Sequence, residues 1–407
     1  MEGSGSGLSG TGHRYDRCRR RLRCRFFIRM ASGMGSPNLR AFCQYHGRGQ
    51  YASLRSDGGS PDRHGGPPVD EEILRPSDGE VDAARTSQQK EARMTYLVTG
   101  GRGFIGSYVV RDLVRQGERV IVHDFFTDDG LLETILTPEE RNEITVINSS
   151  SYDFAELARL IVDYQITHLI HMVSMLHPAS NENPVWAEKI NNLSFVNALE
   201  AARLWSLRLV WASSVVVFGP RHYHPQEAVP NDAPHHPTTV YAACKSFNEF
   251  LANHYHRTWG VDHIGLRFTL VYGPGRTRGA SSFVMRLMRE PALGRPTVVP
   301  FADDEVDWQY VEDISRLVIA CAKAESPRTR IYNTQCDVRS VREAGAYVKS
   351  LLPDADIQYE PGTFGVAWKL DATALQEEIG FQWQYPMEAG IRKTINFFRS
   401  QAGLPSV

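Results

Sequence analysis

The chain has 407 residues, 42% of them hydrophobic and 23% charged, with a formal net charge of -2. That length could hold about two or three average domains, though α/β folds often run longer as one unit, and the composition is ordinary for a water-soluble globular protein. The balanced charge argues against nucleic acid or an anionic membrane as a partner of the whole chain, and no apolar run approaches the ~20 residues that cross a bilayer.

Residues 1–93 differ in kind from the rest. They are rich in Gly, Ser, Arg and Pro and include the run Arg17-Cys-Arg-Arg-Arg-Leu-Arg-Cys-Arg25. Such a stretch cannot bury enough apolar surface to offset its conformational entropy, so a disordered tail or an over-extended start is expected. Its acidic residues and lack of a clean amphipathic pattern count against a transit peptide. An arginine run alone is weak evidence for nucleic acid. The six cysteines lack metal-ligand spacing, and Cys244, Cys321 and Cys336 read as small buried groups in a reducing, cytoplasmic compartment. No disulfide framework and no metal site are expected.

From Met94 the pattern changes to strands alternating with helices. Thr95–Thr99 forms an apolar strand, and Gly100, Gly103 and Gly106 follow as a Gly-x-x-Gly-x-x-Gly turn with Phe104 and Ile105 inside it. Such a turn needs glycine where φ is positive or where backbone approaches a pyrophosphate, which the next helix then holds at its positive end. Arg119–Asp124 is a second strand ending in an acid, near the ~20-residue interval for gripping an adenosine ribose. The reading is dinucleotide binding. Strands at Ile144–Asn148, Thr167–Met172, Leu207–Ala212 and His263–Leu270 alternate with helices at Phe154–Tyr164, Ala187–Trp205 and Val240–Tyr255. This β-α alternation predicts an α/β fold with a Rossmann-type, doubly wound parallel sheet. After Gly273 the pattern loosens, as a smaller C-terminal cap over the carboxyl ends of the strands would require. The expected divisions are 1–93 tail, 94–272 dinucleotide-binding domain, and 273–402 mainly substrate-binding cap interleaved with the core.

Two further pieces point to the chemistry. Ser213 and Ser214 lie at the end of a strand, and Tyr241 and Lys245 stand four residues apart on a helix, hence on one face. A neighbouring ammonium favours the phenolate over the phenol, whose ordinary pKa is near ~10. A phenolate can take a hydroxyl proton while hydride leaves the same carbon, and a serine hydroxyl can hold the oxygen. The Tyr/Lys spacing alone is common. Joined in this order to the glycine turn and the Ser-Ser strand end, it is specific.

From Met94 to about Arg399 the chain resembles the extended short-chain dehydrogenase/reductase superfamily, in its NAD-dependent epimerase/dehydratase family. The resemblance rests on Gly100–Gly106, Asp124, Leu169-Ile-His-Met-Val173, Asn191, Asn197, Ser213-Ser214, Tyr241/Lys245, Arg267-Phe-Thr-Leu-Val-Tyr-Gly-Pro274 and Tyr310-Val-Glu-Asp313. It implies Ser214 as the carbonyl-orienting hydroxyl and Tyr241 as the acid/base. Lys245 would tune that tyrosine and bind the nicotinamide ribose. Asp124 would read the adenosine ribose and favour NAD over a 2′-phosphorylated cofactor, with Arg102 able to soften that preference. The resemblance also makes a homodimer, through the helices at Ala187–Trp205 and Val240–Tyr255, the expected assembly.

Three departures matter. Ser150 stands where an aspartate often contacts adenine, Leu270 where nucleotide-sugar enzymes usually carry an asparagine, and Val306 where they commonly carry an arginine. The last two remove an amide and a diphosphate charge partner. Other stretches lean toward small substrates. Asn181-Glu-Asn-Pro184 and Pro237-Thr-Thr-Val-Tyr241 resemble the threonine-dehydrogenase-like group, and Gly279-Ala-Ser-Ser-Phe283 with Arg289-Glu-Pro resembles a sugar-acid dehydrogenase segment. The expected activity is NAD-dependent oxidation of a secondary alcohol on a small polyol, sugar acid or amino alcohol. The alternative is a nucleotide-sugar epimerase or dehydratase that recycles NAD internally. Ser174, Met175, His177, Arg276, Ser281, Ser282 and Trp308 are candidate substrate residues, because each falls in a loop expected after a strand. His171 reads as a core histidine, Ser213 as structural, and Arg267 as support for the sheet-to-cap junction. His177, His222, His224, His235 and His236 read as surface or substrate-loop residues rather than metal ligands.

Overall fold

The alternation of apolar runs with amphipathic segments produces a seven-stranded, wholly parallel sheet, as seen in a computed structural model that describes residues 94–407. The expectations for the tail lie outside the described residues. Strand β1 (Thr95–Thr99) is buried along its whole length and pairs on one side with β2 (Arg119–Asp124), which in turn pairs with β3 (Ile144–Asn148). On its other side β1 meets β4 (His168–His171), followed outward by β5 (Arg208–Ser214), β6 (His263–Phe268) and β10 (Ile331–Asn333). The order β3-β2-β1-β4-β5-β6-β10 reverses direction between β1 and β4. A crevice opens at the carboxyl ends of those two strands, where doubly wound sheets bind ligands.

Period-two alternation decides which residues face which layer. Tyr96, Val98, Val120 and Val122 pack against α1 (Phe104–Arg115) and α6 (Val311–Lys323). Leu97, Ile121, Leu169 and Leu209 face α2 (Phe154–Tyr164), α3 (Ser194–Trp205) and α4 (Val240–Trp259). With both faces covered, the strands read as continuous apolar runs.

Two elements differ from the expected ones. The helix expected over Ala187–Trp205 holds a π-helical stretch, Glu188–Leu193, before α3. The Asn191 side chain explains its retention: its oxygen accepts from the Met175 amide at 2.7 Å and its nitrogen donates to the Met175 carbonyl at 3.0 Å. The strand expected over His263–Leu270 splits at Thr269. Its first part is β6; its second, β7 (Leu270–Tyr272), joins a smaller sheet with β9 (Glu305–Tyr310) and β11 (Val338–Ser340). The Thr269 amide donates to Gln309 and its hydroxyl to the buried Asp307 carboxyl, at 2.7 Å, so contacts from β9 impose the break.

The small sheet packs with α5 (Val284–Ala292), α7 (Val341–Leu351), α8 (Met387–Gln401) and the pair β8 (Thr297–Val299)–β12 (Ile357–Tyr359). Their core contains Tyr272, Leu287, Trp308, Tyr310 and Ile391. Between these pieces α6 and β10 return to the large sheet. Among the described residues no helix is long and apolar enough to cross a membrane.

Candidate active site

Glycine is required in the turn after β1 for steric reasons. Gly100 has φ of 75°, and a Cβ there would stand 3.0 Å from the Met172 and Val173 backbone across the crevice. A Cβ on Gly106 would come within 2.1 Å of the Gly100 carbonyl oxygen, so only glycine lets α1 start this close to the strand end. Gly103 caps α1 without any side chain, and the first turn has no acid. The free amides and positive dipole end of this 12-residue helix therefore remain available for phosphate. Phe104 and Ile105 form that first turn.

Asp124, at the end of β2, is held by the Arg102 and Phe126 amides, each at 3.0 Å, which fixes its carboxylate at the edge of the same crevice. The Arg102 guanidinium pairs with Asp129 and donates to the Asn148 side chain, so its charge is already engaged. Ser150 lies in the loop after β3 and its carbonyl accepts from Asp153. An uncapped helix behind a glycine turn, with an acid on the neighbouring strand, fits NAD.

The second half of the site sits across the crevice. Ser214 ends β5, and Tyr241 occupies the first turn of α4, whose N-cap Thr239 accepts from the Ala242 amide at 3.1 Å. The Val240 amide donates to the Asn181 side chain at 2.9 Å and the Asn248 side chain to the Asn191 carbonyl at 2.9 Å, which fixes α4 beside the loop after β4. Lys245 is buried; its ammonium donates to the Ala212 carbonyl at 2.6 Å and lies 5.7 Å from the Tyr241 ring centre. Burial lowers Lys245 to about 8. Burial raises the Tyr241 phenol, against which act the Ser214 hydroxyl and the positive charge of Arg276. Lys245 thus lies beside the Tyr241 ring while its ammonium is held by a main-chain carbonyl.

The other nominated residues fall in different places. The buried Oγ of Ser174, Nδ1 of His177 and Nε of Arg276 have no hydrogen-bond partner. Their loops abut, since the Ala280 amide donates to the His177 carbonyl at 3.1 Å. Ser281 accepts from Arg276 at 2.6 Å; Ser282, its neighbour, contributes its amide to the turn at Gly279. Trp308 corrects the sequence reading. It lies in β9 rather than a loop, is 0% exposed, and donates its indole N–H to the Arg339 carbonyl at 3.0 Å. It is a core residue of the cap and cannot line a pocket. His224 is also buried rather than at the surface, hydrogen-bonded to the Phe218 carbonyl at 2.8 Å.

His171 is a core histidine, bonded to Thr99 at 2.8 Å and lowered to about 3 by burial. Ser213 donates to Glu249, and Arg267 ties Glu249 to Asn333 and to the Asn231 carbonyl. Among the described residues, no group of His, Cys, Asp and Glu has the arrangement to hold a metal ion. The clamp made by Asn191 and the main-chain partner of Lys245 carried no separate signal in the sequence.

A doubly wound sheet with this turn, acid and Ser/Tyr/Lys grouping defines a Rossmann-fold, dinucleotide-dependent enzyme of alcohol–carbonyl chemistry. The sequence model of the NAD dependent epimerase/dehydratase family matches residues 96–334, more than half of the chain, and the protein belongs to that family. A UDP-glucose 4-epimerase of Mycolicibacterium smegmatis is 28% identical over 321 residues, which cover 76% of this chain and 100% of that protein. The Thermus thermophilus UDP-glucose 4-epimerase, solved with NAD, superposes with a TM-score of 0.65 at 26% identity over 75% of this chain and 99% of its own. An L-threonine 3-dehydrogenase from Trypanosoma brucei shares the fold with a TM-score of 0.68 at 20% identity, over 77% of this chain and 99% of its own.

Proposed function

We propose that the protein oxidises a secondary alcohol on a small polyol, sugar acid or amino alcohol. NAD, when bound, supplies the hydride acceptor. Gly100–Gly106 and the first turn of α1 would hold its diphosphate and Asp124 the adenosine ribose. Ser214 would hold the substrate oxygen while Tyr241 takes the hydroxyl proton, and Lys245 would keep the phenol and the nicotinamide ribose in register. The observation that carries the reading is Tyr241 in the first turn of α4 with the Lys245 ammonium 5.7 Å from its ring centre and Ser214 at the end of β5. A cation and a hydroxyl beside a phenol oppose the rise that burial imposes on it, and a phenolate is what proton removal requires.

The similarity to nucleotide-sugar epimerases supports a second reading, in which the same groups serve an epimerase or dehydratase with internally recycled NAD. Leu270 and Val306 count against it. Both are 0% exposed in the cap core, so neither position offers an amide or a charge to a sugar nucleotide. Incubation with NAD and separate panels of small alcohols and nucleotide sugars separates the two. Net NADH with a small alcohol supports the oxidoreductase; turnover of a UDP- or dTDP-sugar without net NADH would sink it. We also propose a homodimer, supported by the exposed apolar Leu193, Phe247 and Phe250 on the π-helical stretch and α4. A monomer in sedimentation equilibrium would refute it.

A further inference from the structure

A segment that packs on both walls of a cleft, and keeps its middle in solvent, closes the mouth of that cleft. Residues 273–283, between β7 and α5, do this at the crevice. On the cofactor wall they meet α1 twice: Tyr108 donates to the Pro274 carbonyl at 3.1 Å, and the Arg276 guanidinium lies 5.8 Å from the Phe104 ring centre. A Cβ on Gly275 would come within 2.5 Å of Leu131, so the backbone there packs directly on the short helix Gly130–Ile135 that follows Asp124. On the opposite wall a Cβ on Gly279 would stand 3.0 Å from Leu176, and the Ala280 amide donates to the His177 carbonyl at 3.1 Å. That wall is the loop after β4, which Asn181 ties to the first turn of α4 and so to Tyr241. Thr277 and Arg278, midway across, are exposed. The segment is a strap over the outer rim.

The middle of the strap is held by a weak contact on a firm post. The Arg278 guanidinium lies 5.0 Å from the ring centre of Phe126, which is 53% exposed. The Phe126 backbone is fixed on both sides, its amide donating to Asp124 at 3.0 Å and its carbonyl accepting from Arg102 at 2.5 Å. A cation over an exposed ring shifts an equilibrium by about 2- to 5-fold, enough to bias a strap and too little to lock it. We infer that segment 273–283 is a gate for cofactor exchange, latched beside the ribose acid Asp124 by Arg278 on Phe126. The strap lifts for the dinucleotide to enter or leave and lies closed while it is held. This rests on the fit of the crevice to NAD and holds for either reading of the chemistry. Those readings ask different things of the gate. Net oxidation of an alcohol needs one opening in every turnover, so release can limit its rate; internal recycling needs none.

Two measurements on the full chain test the gate without any substrate. The first is limited trypsin digestion read by mass spectrometry. Saturating NADH should slow cleavage after Arg278 by about 10-fold or more, since proteolysis follows the open population. Cleavage after Arg328, whose side chain is 83% exposed in the loop before β10, should stay the same. The second is stopped-flow fluorescence of bound NADH chased by excess NAD. Arg278→Ala and Phe126→Ala should each speed release about 2- to 5-fold. The double variant should be no faster than either single one, and Arg278→Lys should keep part of the wild-type retention. Equal cleavage after Arg278 with and without NADH overturns the gate. So do release rates unchanged in both single variants, or effects that multiply in the double variant, which would mean that each side chain holds NADH by itself. A protein that binds no NADH removes the cofactor fit together with the gate, whereas binding without protection removes the gate alone.

Discussion

Two arginines, Arg267 in β6 and Arg276 in the loop after β7, have opposite surroundings. Arg267 makes a two-pronged bond with Glu249 at 2.9 and 2.7 Å, and Ser213, His235 and Asn333 complete the cluster. Burial alone would raise Glu249, but the charge of Arg267 and the hydrogen bonds of His235 and Arg267 hold it down to about 2. Arg276 has no such partner and an idle Nε. A charge whose valences are filled from within supports the architecture. Tyr241 lies on the same helix as Glu249, and the Arg276 charge acts on its phenol.

That contrast can be tested at its hinge first. Tyr241→Phe should lower turnover of any productive substrate by roughly 10²–10⁴-fold and leave NADH affinity unchanged; single-turnover NADH formation measures it, and an undiminished rate ends the acid/base assignment. Glu249→Ala strands the Arg267 charge and should cost about 3–5 kcal/mol in denaturant unfolding. Because the folded carboxyl titrates below its ordinary 4.5, its contribution is present above that pH and lost as pH falls toward about 2. Arg276→Gln, by contrast, should leave unfolding unchanged or shift it to higher denaturant, since no ion pair is broken. In the same variant the acidic limb of alcohol oxidation should move to higher pH, because the phenol loses the cation that favours its ionised form. Trp308→Phe should cost only about 1–3 kcal/mol from the Arg339 carbonyl left without its donor, with KM unchanged. A raised KM there would return Trp308 to the pocket.

Much of the architecture could be read directly. Thr95–Thr99, Arg119–Asp124, Ile144–Asn148 and Phe154–Tyr164 have the predicted bounds, because apolar periodicity and local stop signals agree there. Ser214, Tyr241 and Lys245 could be nominated because their order along the chain is specific, and the fold brings them to one crevice. What could not be read depends on distant partners. Phe268-Thr-Leu-Val is uniformly strand-forming, and the division at Thr269 comes from Asp307 and Gln309. Trp308 looks like a loop residue until β9 is seen pairing with β7 and β11. For Arg276 the informative property is a missing partner, and no spacing encodes that.

The π-helical stretch at Glu188–Leu193 makes this part of the chain sensitive to length as well as composition. Each residue advances an α-helix by about 100°, so removing one there would turn everything upstream through that angle relative to α3. Asn191 would swing off the Met175 backbone and release the loop that carries Ser174 and His177. A single-residue deletion within 188–193 should therefore lower kcat more than Asn191→Ala does, with α3 and NADH affinity retained; equal effects would show that phase is unimportant. Homologues that align here with a gap would then have to hold this loop by some other contact.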